Sequence, residues 1–248
     1  GSAAEEAPFD ALVHIRGPEW DVHWREDVGR FRQLMVRQHP DAMQEHSEWV
    51  TDEILRKFLI ARNRRAELAA SMLAEALKWR SMRRPGQIRA HEMEEESRTG
   101  KLQCRGKDKW GRPILIFDNT VQNTDDVDEN MRCLAFLLEF ASRSFSPPTD
   151  KYLIFMHLQN FSFFNNPPMR STRETIQMLC TCYPEHLGHC VLFQGPTLFR
   201  TVFATVKAFI DPKTVGKLLF INGDCSPSTA NDRLLSDIIG PEWRLLTG

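Results

Sequence analysis

Residues 183–218, YPEHLGHCVLFQGPTLFRTVFATVKAFIDPKTVGKL, decide how the rest of the chain is read. They place a turn, a buried strand, a long apolar helix and a cationic return strand in succession. Within them Leu198, Phe199, Val202, Phe203, Val206, Phe209 and Ile210 cover more than one helical face. A helix of that kind is buried, lies on a membrane or closes over an apolar ligand. Its polar neighbours Arg200, Lys207 and Lys217 are cationic. The combination suits a gate over a lipid pocket better than it suits a catalytic site.

Outward from this stretch the chain alternates strands and helices. The runs 113–119, 151–158, 190–195 and 217–222 are short and continuously apolar, as strands buried on both faces are. Helical spacing is expected over 127–145, 169–182, 197–209 and 229–239. Together these predict a mainly parallel α/β sheet. The first hundred residues differ and read as a helical module. Residues 3–17 read as a loose arm. Trp20, Trp24, Val28, Phe31 and Met35 then recur at helical spacing, and Pro40 is expected to end that helix. Thr51 and Asp52 offer an N-cap for a helix carrying Ile54, Leu55, Phe58 and Leu59. Another helix over 66–82 turns Leu68, Met72, Leu73, Ala76, Leu77 and Trp79 toward a core. HEMEEESRTG (91–100) is acidic and expected to be exposed. The domain reading is an arm and helix over 1–49, a helical lobe over 50–100 and an α/β lobe over 101–248.

Length and composition bound the function classes. At 248 residues the chain can bury a sizeable core in one large or two small domains. A formal net charge of −1 gives no global pull toward nucleic acid, and none is expected as a partner. The basic runs RNRR (62–65) and RSMRR (80–84) ordinarily mark solvated helix faces. No stretch has the roughly 18 apolar residues that span a bilayer, and no secretory signal is visible. The six cysteines are irregularly spaced in apolar surroundings and read as reduced thiols of a cytoplasmic protein.

The usual catalytic signatures are missing: no GxSxG elbow, Walker loop, GxGxxG or HExxH. The reading is therefore a binding protein without a cofactor, not an enzyme. CTCYPEHLGHC (180–190) gathers Cys180, Cys182, His186, His189 and Cys190, but its spacing fits no common zinc finger. It reads instead as a helix–turn–strand corner, with Pro184 stopping the helix and Gly188 allowing an unusual backbone turn. Arg62 and Lys217 are separately unremarkable basic residues, and spacing alone does not bring them together.

FLIAR (58–62), GRPILIF (111–117), YPEHLG (183–188) and KAFIDPKTVGKL (207–218), in this order, resemble the CRAL-TRIO lipid-binding family, and most of all its phosphatidylinositol/phosphatidylcholine transfer branch. The resemblance covers about residues 50–248. It implies a helical N-terminal lobe, and a sheet flooring an apolar lipid pocket gated by the helix at about 197–209. Phe199, Val202, Phe203, Val206 and Phe209 would form the gate wall. It implies that Arg62, Thr214 and Lys217 hold an inositol phosphate: a planar fork, a hydroxyl and a point charge. Glu185 and Asp211 either steady these cations and receive inositol hydroxyls, or serve as a structural ion pair and cap. The chain also departs from the family. Asn63 stands where a lysine is common, His157 where an acid is, and His186 where a base is. Tyr152 and Ile154 occupy pocket positions that carry small hydroxyl residues in members binding phosphatidylcholine.

What the resemblance implies, then, is a monomeric cytoplasmic carrier of a phospholipid, phosphatidylinositol first. It would exchange the lipid at membrane surfaces as the gate opens and, by analogy, present it to a lipid kinase. Two rivals share the fold: a carrier of a small hydrophobe of tocopherol, retinoid or sterol type, and a non-exchanging interaction scaffold for a partner such as a small GTPase. A haem or metal carrier is a fourth reading.

Overall fold

The computed structural model describes residues 23–247 except 122, 124, 125, 146, 148, 160 and 162–168, with His23, Met169 and Phe209 described by backbone alone. Among the described residues four helices come first: α1 (His23–Gln38), α2 (Pro40–Glu45), α3 (Asp52–Ala61) and α4 (Ala66–Arg83). Pro40 follows the end of α1 as expected, but it also begins α2. At the first helical position its missing N–H costs nothing. Thr51 caps α3 by accepting from the Ile54 N–H at 3.3 Å. Val28, Phe31 and Met35 of α1 pack with Leu55, Phe58, Leu59, Leu73 and Leu77 into a core of their own. Leu68, expected in that core, is 48% exposed on the outer side of α4. Trp20 and the arm over 3–17 lie outside the described residues.

The acidic segment is largely exposed as expected, but not throughout. It forms a 3-10 turn and the short α5 (Glu94–Ser97), and buries Met93 and Glu96. Glu96 is paired with buried Lys101, so its charge is met inside the protein rather than by water.

The remainder is a five-stranded sheet in the order β1 (Leu102–Lys107), β2 (Pro113–Asp118), β3 (Tyr152–His157), β4 (Leu187–Phe193), β5 (Leu218–Ile221). β1 pairs antiparallel with β2, and every other pair is parallel. The parallel pairs are joined by α6 (Val127–Arg143), by α7 (Met169–Gln177), and by α8 (Thr197–Val206) with the one-turn α9 (Pro212–Val215). α10 (Ala230–Ile238) follows β5. β1, α2, α5 and α9 are the elements the periodicity does not reveal.

Alternation along the strands sorts the core into two faces. Ile114, Ile116, Leu153, Phe155, Val191, Phe193 and Ile221 pack beneath α10, against Leu235, Ile238 and Trp243. Leu115, Phe117, Tyr152, Ile154, Cys190 and Leu192 face the other way, toward α6, α7 and α8. Register aligns Leu115, Ile154, Cys190 and Leu218 in one row across this second face.

Buried ion pairs join the helical layer to the sheet. Arg80 of α4 meets Glu139 of α6 at 2.8 Å, and the Tyr183 hydroxyl donates to the same carboxylate at 2.7 Å. The Arg80 guanidinium also lies 4.0 Å from the Trp49 ring centroid. Arg56 and Lys57 of α3 both reach Asp150 just before β3, at 3.0 and 3.6 Å. Replacing Glu139 by alanine leaves a buried guanidinium and a buried hydroxyl without their acceptor. We expect Glu139→Ala to lose about 3–5 kcal/mol in denaturant unfolding. The apolar double variant Arg80→Met/Glu139→Leu should lose clearly less, because no charge is left stranded.

Candidate functional site

Between the second sheet face and the helices α7 and α8 lies a cavity of about 460 Å³. Its floor is Phe117, Ile154, Met156, Cys190, Leu192 and Leu218 from four neighbouring strands. Its roof is α8. Phe199, Val202, Phe203 and Val206 line the cavity at helical spacing, whereas Arg200, Thr201, Ala204 and Thr205 are exposed. The helix is thus less uniformly apolar than its sequence suggested, because small and hydroxylated residues supply an outer face. The Phe209 side chain, expected in this wall, lies outside the described residues.

Aromatic rings run along the roof. Phe161 meets Phe199 edge-on at 5.3 Å, Phe199 stacks with Phe203 at 6.1 Å, and Phe203 meets Phe220 of β5 edge-on at 5.1 Å. Gly195 lets the first of these rings seat: a Cβ there would lie 3.1 Å from Phe199 Cδ1. The side wall comes from α7, whose last turn, Met178–Cys182, widens to π geometry. Leu179, Cys180 and Thr181 of this turn line the cavity, while Cys182 is buried.

One end of the cavity is polar. Arg62 closes α3 and donates to the Ala61 carbonyl at 3.2 Å. Asn63 and Arg64 follow at φ 51° and 61°. The Arg64 N–H donates to the Leu59 carbonyl and the Asn63 N–H to the Ile60 carbonyl, a Schellman cap with asparagine at its left-handed position. Across from this turn Asp211, Lys213, Thr214 and Lys217 line the cavity, and Glu185 joins them from the corner before β4. Asp211 caps α9, accepting from the Lys213 N–H at 2.8 Å. Glu185 sits between Lys217 at 3.4 Å and Lys151 at 3.6 Å. Burial opposes its ionisation, but the two ammonium groups more than offset that and hold its carboxyl below its ordinary value. The Cys180 thiol is pushed up by burial and lies within the fields of Asp211, Arg62 and Lys217 together. The fold therefore converges at one mouth the two basic residues that sequence spacing left apart.

Several expected roles fall elsewhere. The unusual backbone belongs to Glu185, at φ 57°, and not to Gly188, which lies within β4. Gly188 is small for another reason: a Cβ there would collide with Arg112 Nη1 and crowd the Tyr152 carbonyl. Ile154 lines the cavity, whereas Tyr152 on the same sheet face is fully buried in a stack with Phe145 and His186, at 6.4 and 6.3 Å. His157 faces Asp118 at 3.5 Å on the far side of the sheet. Sequence reasoning passed over Lys213 and Lys151. Lys213 lies inside KAFIDPKTVGKL (207–218), but at a position to which the resemblance assigns no role.

The corner that gathers cysteines and histidines holds them apart chemically. The six cysteines are free, and burial pushes the Cys190 thiol up to about 12. Burial lowers both His186 and His189, the latter to about 4, aided by the Arg112 guanidinium 2.8 Å from its Nδ1. Among the described residues no group of three or more His, Cys, Asp or Glu is placed to hold a metal ion.

The CRAL/TRIO domain family model matches residues 97–237. A CRAL-TRIO domain-containing protein of Schizosaccharomyces pombe is 30% identical over 172 residues, covering 69% of this chain and 17% of that protein. Phosphatidylinositol transfer protein PDR17 of Saccharomyces cerevisiae is 23% identical over 184 residues, covering 69% of this chain and 53% of that protein. The chain thus spans less than two thirds of the length of these relatives. The crystal structure of Sfh5 superposes with a TM-score of 0.61 at 16% identity, covering 83% of this chain and 82% of that one, a likeness of fold.

The lowered histidines fix the direction of the acid response. An unfolded chain binds a proton at His189 near its ordinary 6.5, whereas the folded chain resists until about 4. Between those values the unfolded state holds more protons, so stability falls as pH falls. Thermal unfolding followed from pH 7 to pH 4 should show a steady decline. His189→Asn, which can still accept from Arg112, should make the decline shallower, with His186 supplying what remains.

Proposed function

The chain belongs to the CRAL/TRIO domain family, and from that premise we propose that it is a phospholipid carrier that favours phosphatidylinositol. One observation carries the reading. A cavity walled by strand and aromatic side chains ends in a cluster of Arg62, Thr214 and Lys217, with Glu185 holding Lys217 in place. Apolar walls suit acyl chains, whose burial stabilises by about 0.8 kcal/mol per CH₂. The mouth suits a phosphate, which accepts a planar fork from arginine, a hydroxyl from threonine and a point charge from lysine. Names of relatives such as PDR17 point the same way.

In this reading α8 is the gate. Its inner face seals the acyl chains from water, and its exposed face carries Arg200, with Lys207 just beyond, toward the phosphates of a membrane surface. Opening at a bilayer lets one lipid leave and another enter. The chain works as a carrier and not as a catalyst, and it visits membranes without spanning them: no helix of the described residues is long and apolar enough to cross one. A lipid kinase is the natural recipient of a presented inositol lipid.

A second reading has two observations in its favour. A cavity of about 460 Å³ lies within the range of sites for single drug-sized ligands, about 300–1,000 Å³. Ile154 moreover offers no hydroxyl to a headgroup. A small neutral hydrophobe would fit those two facts, though it would leave the cations at the mouth without a partner.

Mass spectrometry of lipid extracted from the protein after incubation with mixed vesicles tests both. Stoichiometric phosphatidylinositol supports the carrier reading, recovery of a neutral hydrophobe alone supports the second, and an empty protein overturns both. Arg62→Ala and Lys217→Ala should each cut phosphatidylinositol transfer about 10-fold or more, the value of a charge-assisted hydrogen bond. Unchanged transfer by two folded variants would remove these residues from the headgroup site.

A further inference from the structure

Lys213 occupies a position with unusual electrostatic leverage. Its Nζ donates to Asn63 Oδ1 at 2.6 Å, joining the turn after α3 to α9. Asn63 is a neutral partner, so this contact positions the ammonium without neutralising it. Among the described residues, the ammonium forms no ion pair with a carboxylate. The carboxylate nearest in sequence, Asp211, accepts the backbone N–H of Lys213 and is committed to capping α9. An ammonium has three donors, and one of them is used on Asn63.

The charges lining the cavity give this position its weight. They are Arg62, Lys213 and Lys217 against Glu185 and Asp211, three cations facing two carboxylates. Without Lys213 the formal charges of the lining cancel, and the pull on an anion is left to the placement of Arg62 and Lys217, with Lys151 behind Glu185. With it the lining carries one excess positive charge, which matches the single phosphodiester charge of an inositol lipid. A choline lipid carries the same phosphodiester but also its own ammonium, and that group meets a like charge at the mouth. Selection of this kind needs both the attraction and the repulsion.

We propose that Lys213 is the residue that tilts this mouth toward anionic and away from zwitterionic phospholipid headgroups, by placing beside Asn63 the positive charge that position 63 lacks. The inference rests on the phospholipid-carrier reading and names a specificity determinant within it. Asn63 is well suited to hold the donor. Its left-handed backbone is fixed by the Schellman cap, so its side chain presents a steady acceptor.

The test uses the full chain and vesicles of equal phosphatidylinositol and phosphatidylcholine content, with the protein-bound ratio read by mass spectrometry. Lys213→Gln removes the charge while keeping an N–H donor for Asn63. It should lower the phosphatidylinositol preference about fivefold at low salt, the scale of one partly exposed charge at close range. The difference from wild type should shrink as salt is raised. Adding Asn63→Lys to that variant returns a cation to the same place and should restore the preference. A wild-type preference that Lys213→Gln leaves unchanged overturns this inference alone. A wild-type protein that takes up no phospholipid overturns the carrier reading and this inference with it. Loss of the wild-type preference on adding inorganic phosphate, but not on adding chloride to the same ionic strength, would identify a site for free phosphate instead and overturn the lipid assignment. Lys213 is exposed, so Lys213→Gln should keep the wild-type unfolding midpoint, whereas Asn63→Lys, at a left-handed position, should lower it slightly while the protein stays folded.

Discussion

Everything at the polar mouth depends on a buried junction some way behind it. Arg80, Glu139 and Tyr183 come from α4, α6 and the corner before β4, and each satisfies another. Tyr183 is two residues from Glu185, so the cluster that fastens the helical layer to the sheet also sets where Glu185 emerges. Arg56 and Lys57 fasten α3 to Asp150 in the same manner, five residues from Arg62 in the case of Lys57. Arg62 ends a helix of the helical core, and Lys217 stands just before a strand of the sheet. Only fixed packing between the layers brings their charges to a common point. Buried pairs add little net stability but are costly to break, which suits them to fixing geometry.

The cavity itself follows from what covers the sheet. A sheet whose strands are apolar on both faces must be sheathed on both. Beneath, α10 and Trp243 pack directly on the strands. Above, α6 packs closely on β1 and β2, but α8 meets the floor largely through aromatic rings and leaves space between. The polar groups then collect where α3, α9 and the corner before β4 meet. Buried His186 and His189, held neutral, add no charge behind that mouth. Its field comes instead from the groups that line it.

Much of the fold was legible because the strands are continuous apolar runs and the helices keep their period. β3 and β5 fall within a residue of expectation, while β4 begins at Leu187 rather than residue 190. What stayed hidden has local causes. β1, with the sequence LQCRGK, is an edge strand whose outer half is exposed, so it lacks an apolar signature. The sequence showed Pro40 as a breaker, but the same ring can also start a helix. Gly188 was read through its backbone freedom, when the reason for its size is the Arg112 side chain lying against it. At the site, Arg62, Thr214 and Lys217 were reachable through a family resemblance. Lys213 was not, because its meaning lies in a contact with a residue 150 positions away. Asn63 looked like a lost cation for the same reason.

Strand order that equals chain order also governs how the molecule is made. Each strand emerging from a ribosome finds its neighbour already present, so the sheet can grow from one edge without waiting for distant sequence. The roof is a different matter. α8 follows β4, and the edge strand that supports its ring contacts comes later still. Until both are synthesised, Phe117, Ile154 and Leu192 form an open greasy surface above the paired strands, and the face beneath waits longer still for α10. The nascent chain is therefore most prone to aggregate late in synthesis, when the strands have paired but neither face is yet covered.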